Sequence, residues 1–128
     1  MTRNLAFYLG LALLLTHEMD SMLNHEWRVI PLVRSLSDDT GQFVFLVAHV
    51  PLFVVVIAFI ASLNLRTRRL ARHIASGFFI LHAGLHYLFS GHADYEFGSA
   101  LSSVLIYWAA LCGFVYFMLI AWVSSRRG

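Results

Sequence analysis

The sequence predicts an all-α integral membrane protein, an antiparallel four-helix bundle with both termini in the cytoplasm. Three observations lead there. Apolar residues make up 59% of the 128-residue chain and charged residues only 12%, with a mean hydropathy of +0.73, which leaves too little polar surface to coat a soluble globule. Four stretches, about 4–24, 42–63, 72–90 and 98–123, each supply the roughly 20 mainly apolar residues that cross a bilayer's hydrocarbon. Finally, the basic residues are sided: Arg3, Arg66, Arg68, Arg69, Arg72, Arg126 and Arg127 all fall on one face of a four-span arrangement, which the positive-inside rule makes cytoplasmic.

The first span is the least apolar, because its uninterrupted run ends at Leu15. Arg3 followed by residues 5–15 also fits the start of a signal peptide, but Thr16, His17 and Glu18 stand where small cleavage-site residues belong. The second span carries Pro51, which removes one backbone donor and can kink the helix near His49. The third opens behind the arginine cluster and contains His82 and His86 at helical spacing. The fourth offers small residues at Gly98, Ser102, Ala109 and Gly113 for close approach to a neighbour, and Trp27 and Trp122 suit aromatic anchors near opposite interfaces. The longest connection, about residues 25–41, is too short for a second unit, so residues 1–128 are expected to form one transmembrane domain.

The arginine clusters are read as topology signals, and no nucleic acid partner is expected. Cys112 is the sole cysteine and lies mid-span, which excludes an intramolecular disulfide and a thiolate cluster and leaves a packing role.

Chemistry concentrates at the outer ends of the spans, where every acidic residue and all the histidines except His73 fall. His17, His49 and His82 come from three helices at a similar depth, on the order of 10 to 12 Å below the outer surface. His86 stands one turn above His82 on the same face, and Asp20 has a similar relation to His17. Buried ionisable groups are costly in a membrane unless something compensates them. Imidazole and carboxylate are ligands suited to a divalent transition metal, so His17, Asp20, His49, His82 and His86 are the candidate ligands, with zinc first and iron or copper next. Glu18 is the candidate general base. His25, Glu26, Arg28, His92, Tyr95 and Glu96 would decorate the mouth of the same cavity, with Arg28 pairing to Glu96 or Glu26. Arg34, Asp38 and Asp39 read as exposed charge, and His73 as an interfacial residue apart from the site.

The pattern His17-Glu18-Met19-Asp20, His25-Glu26-Trp27-Arg28, His49-Val50-Pro51-Leu52-Phe53, His82-Ala83-Gly84-Leu85-His86 and His92-Ala93-Asp94-Tyr95-Glu96-Phe97 resembles small bacterial four-span membrane proteins of unknown function. That resemblance implies a membrane bundle and supplies no activity. The HxxxH element is similar to one in membrane hydroxylases and desaturases, but their richer histidine boxes are absent.

The expected function is a membrane-embedded metal-dependent enzyme of the bacterial inner membrane, its site facing the periplasm. Its substrate would be a hydrophobic or amphiphilic, lipid-like small molecule from the outer leaflet, with hydrolysis expected for zinc and oxidation for iron or copper. Three alternatives stay open. Facing histidines can bind haem b for electron transfer, although the carboxylates beside them make a polar pocket. Intramembrane ionisable groups also suit a metal ion or proton transporter, an accessory subunit of a membrane complex or a homo-oligomer. A metal-free isomerase could use histidine and carboxylate for acid–base work.

Overall fold

The protein is described by a computed structural model covering residues 2–126, so Arg127 lies outside the described residues. The elements are α1 (Thr2–Leu23), 3-10 turns at Glu26–Arg28 and Val33–Ser35, α2 (Asp38–Ile60), α3 (Leu65–Phe89) and α4 (Ala100–Ser125). The fold is all-α with four helices, and no strand occurs among the described residues.

Local chemistry sets the helix ends. The Asn64 side chain accepts from the backbone N–H groups of Arg66 and Thr67, and Ser99 accepts from that of Ser102, so two orphan helix N-termini are capped. The Asn64 cap corrects one expected boundary. Helix α3 begins at Leu65 rather than near residue 72, so the arginines expected in a loop form its first turns. Arg72 is held there by donating to Asn4 Oδ1 (3.1 Å) and to the Tyr8 hydroxyl (2.7 Å). Asp38 and Asp39 occupy the first turn of α2, where negative charge complements the helix dipole.

Among the described residues, two helices are long and apolar enough to cross a membrane, α2 and α4. Helices α1 and α3 carry the polar residues that face inward at the candidate site, which dilutes their hydropathy. Helix α4 packs against both α1 and α3, while α2 rests chiefly on α3 and the two 3-10 turns. Phe7 anchors the interior, its ring 6.2 Å from that of Phe79 and 5.9 Å from that of Tyr116. Ala109 and Ile60 complete this buried cluster.

Close approach of α3 to α4 depends on Gly113. A β-carbon there would lie 2.5 Å from the Ser76 carbonyl oxygen, and backbone cannot yield as a flexible side chain can. Gly10 has a similar relation to the Phe79 ring, which a β-carbon would meet at 2.8 Å. Ser102 and Ala109 are buried as well, whereas Gly98 has open space around it, so only part of the small-residue set serves packing. Gly113→Leu is therefore expected to push α4 off α3 and to destabilise the fold by about 1–3 kcal/mol, the usual cost of overpacking. Reversible unfolding by a denaturing detergent in mixed micelles measures it, and an unchanged midpoint would contradict the close contact.

Trp27 departs from its expected anchoring role. It is buried, and its indole N–H donates to Asp38 Oδ1 at 2.9 Å. Trp122 is half-exposed, with the Arg126 guanidinium 3.9 Å from its ring centroid.

Candidate metal centre

Helical spacing places His82 and His86 on one face of α3, with ring centroids 4.6 Å apart. His17 from α1 meets both, its ring 4.8 Å from His82 and 4.7 Å from His86. His17 is fully buried, and the Phe97 ring packs beside it at 5.3 Å and beside His86 at 4.7 Å.

The fourth member comes from outside the helices. His25 adopts a left-handed conformation (φ 49°, ψ 45°), which is uncommon for a residue other than glycine. The chain thereby leaves the α1 axis and enters the 3-10 turn. Glu26 is turned inward, its Oε2 3.7 Å from His17 Nε2 and its Oε1 3.6 Å from His86 Nε2 and 3.9 Å from His82 Nε2. One ligand atom from each of His17, Glu26, His82 and His86 lies within 4.8 Å of all the others.

These distances test the fit to a metal. Four donors about 2.1 Å from one ion in a tetrahedron stand about 3.4 Å apart, so the Glu26–histidine contacts need to close by a few tenths of an ångström and the widest donor pair, within 4.8 Å, by up to about 1.4 Å. At 3.6–3.9 Å the same contacts are too long for direct hydrogen bonds. Both ring nitrogens of His17, Nε2 of His86 and Oε2 of Glu26 are buried without a hydrogen-bond partner. Each such group costs about 1–3 kcal/mol when unsatisfied, and a cation removes several of these penalties together. The cluster is thus a buried His/Glu group able to hold a metal ion.

Its surroundings fix the ligands. The His86 Nδ1 pairs with the Tyr95 hydroxyl at 3.2 Å, so with Nδ1–H as donor the Nε2 lone pair faces the cluster. Burial raises the Tyr95 phenol to about 12, which keeps that hydroxyl protonated at neutral pH.

The 3-10 turn is pinned from two sides by Arg28. Its Nε and a terminal nitrogen donate to the two carboxylate oxygens of Asp38, both at 2.8 Å, and its other terminal nitrogen donates to Glu96 Oε1 at 3.1 Å. His25 Nδ1 reaches the second Glu96 oxygen at 2.8 Å. Hydrogen bonding to Asp38 raises the Arg28 pKa above its ordinary value, and the His25 and Arg28 contacts hold Glu96 below the usual carboxylate range. The expected Arg28–Glu96 pair is present, and Asp38, expected to be free surface charge, is the stronger partner of Arg28. Arg28→Ala is expected to release the turn that carries Glu26 and to weaken metal affinity about 10–100-fold, as loss of a supporting contact does. Titration with a competing chelator measures this, and unchanged affinity would show that the turn needs no clamp.

Two expected ligands stand apart from the four-residue group. His49 has both ring nitrogens engaged, Nδ1 with the Phe45 carbonyl at 2.7 Å and Nε2 with Glu18 Oε2 at 2.9 Å. Helix α2 leans on α3 from the side, so its histidine reaches Glu18 before it can reach the cluster. Asp20 is buried with Oδ2 unpartnered and shares a helix face with His17, but it is not among the four residues whose donor atoms converge. Glu18 is not a member of the group either; it lines the adjoining cavity and pairs with His49. His92 stays in the loop before α4, against Arg34 at 3.3 Å and Asp94 at 3.6 Å. His73 lies apart, bonded to the Arg69 carbonyl.

The cavity beside the cluster has a volume of about 540 Å³. It lies between α2 and α3 beneath the connection that carries Glu26, and its polar lining is Glu18, Glu26, His49, His82, His86 and Tyr95.

Comparison with curated proteins and with solved structures gives no match. A family model covers nearly the whole chain, residues 3–123, and with it the arginine clamp and all four members of the cluster. The chain accordingly belongs to the family of unknown function DUF6713.

Proposed function

We propose that this chain is a membrane-embedded metalloprotein, a metal-dependent enzyme acting on a hydrophobic or amphiphilic molecule at the outer side of a bacterial inner membrane. The carrying observation is the convergence of His17, Glu26, His82 and His86 on one point, with donor atoms of His17, Glu26 and His86 buried and unpartnered. In support of the membrane are the two long apolar helices and the arginines at the opposite end from the cluster. An antiparallel passage of all four helices puts the cluster near the periplasmic face.

Three imidazoles and one carboxylate suit zinc first, then iron or copper. Zinc held by these four residues would supply Lewis acidity, with a hydrolytic water admitted only as a fifth ligand, whereas iron or copper would supply redox chemistry. The chain's own contribution is to hold the histidines on two packed helices and to exclude water with Phe97. Glu18, hydrogen-bonded to His49 on the cavity wall, is the residue placed to accept a proton from a molecule bound there.

The bare-ion reading is favoured over haem b because the imidazoles meet edge to face at 4.6–4.8 Å. Axial haem ligation needs two rings opposed across a slot wide enough for a porphyrin. Elemental analysis of protein purified without chelator tests the proposal. One equivalent of a transition metal per chain is expected; a metal-free protein that also fails to take up zinc, iron or copper on titration would overturn it.

A further inference from the structure

Resting on that reading of the metal centre, we infer that the adjoining cavity receives the hydrocarbon tail of a single-chain amphiphile with a small uncharged oxygen head, such as a long-chain alcohol, aldehyde or ester. Three features carry this. The volume of about 540 Å³ falls within the roughly 300–1,000 Å³ of cavities that enclose small ligands, and is well short of a two-chain phospholipid. The tail region is hydrocarbon, lined on one side by Val44, Ala48 and Leu52 of α2 and on the other by Phe78, Leu85 and Phe89 of α3. Every charged or titratable lining group except Tyr95 belongs to the cluster or to the Glu18–His49 pair, and the rest of the lining is hydrocarbon.

The head follows from charge. No arginine lines the cavity: Arg28 is committed to Asp38 and Glu96 on the outer side of the turn. A phosphate head would meet the carboxylates of Glu18 and Glu26 with no guanidinium to pair it, and the charge of a divalent cation at the cluster is already offset by those two carboxylates. A neutral carbonyl or hydroxyl oxygen needs only a donor or a cation, and the metal centre borders the space where it would sit. The rim residues Phe78 (41% exposed), Leu85 (39%) and Leu52 (50%) are partly exposed, so the slot opens sideways between α2 and α3. In a bilayer that opening faces acyl chains, the medium from which such a molecule arrives.

The test uses the full chain in lipid nanodiscs with a photoreactive long-chain alcohol, followed by mass-spectrometric mapping and a parallel metal assay. Saturable labelling at Ala48, Leu52 or Leu85 is expected. Unlabelled alcohol should compete at least tenfold better than the matching lysophosphatidate or fatty acid. Ala48→Trp, which fills the slot away from the ligands, should abolish the saturable part while metal content stays at the wild-type level. Labelling that does not saturate, or that persists unchanged in Ala48→Trp, overturns the tail assignment; equal competition by the anionic lipids overturns the head assignment. Saturable labelling of a protein that binds no metal would remove the metal reading and still support the slot, so the two failures are distinguishable. If Ala48→Trp does not fold, Leu85→Trp fills the same space from α3.

Discussion

The double variant His82→Ala, His86→Ala is expected to purify without stoichiometric metal, while the wild-type protein carries one equivalent per chain. The two residues supply half of the converging donor set, and both project from one rigid helix, so no neighbouring side chain can take their place. The loss should exceed the roughly 10–100-fold that follows removal of a mere supporting contact. His49→Ala is the informative control, since its ring nitrogens are already engaged by Phe45 and Glu18; it should retain the metal. Elemental analysis of the three proteins checks both expectations. Retention by the double variant, or loss in His49→Ala comparable to it, would place the ion elsewhere.

Stripping the metal is expected to have the second large effect, on stability. A ligand that binds only the folded state stabilises it by about 2.7 kcal/mol when its free concentration is 100 times the dissociation constant. Here the ion also satisfies one of the two His17 ring nitrogens that are otherwise buried without partners. Chelated protein should therefore unfold at a lower temperature or detergent mole fraction, and restoring the metal should recover the original midpoint. His17→Phe gives a complementary result. It should bind metal poorly, yet in the metal-free state it should be at least as stable as chelated wild type, because an apolar ring packed among Phe97, His82 and His86 removes two of the buried unpartnered nitrogens. Thermal unfolding with and without chelator measures both, and identical midpoints for loaded and stripped wild type would contradict a structural debt at His17.

Part of this architecture is legible from residue order alone. Four helices follow from apolar run lengths, and the meeting of His17 with His82 and His86 follows from equal depth plus i, i+4 spacing. What hydropathy misses is where a helix starts outside apolar surroundings: Asn64 begins α3 among arginines, and only its capping chemistry marks the spot. His49 illustrates a different limit. Depth is one coordinate, and the lateral lean of α2 against α3 decides which partner its imidazole meets. Glu26 had no comparable signal. Its inward course depends on a left-handed histidine where no glycine or asparagine advertises a reversal, and on Arg28 finding carboxylates 10 and 68 residues away along the chain.

The left-handed bend at His25 divides the donor set between elements of different kinds. Two packed helices carry the three imidazoles, whereas the carboxylate sits on a short turn held by the side-chain contacts of Arg28, so a change confined to that turn alters one donor and leaves the other three in register.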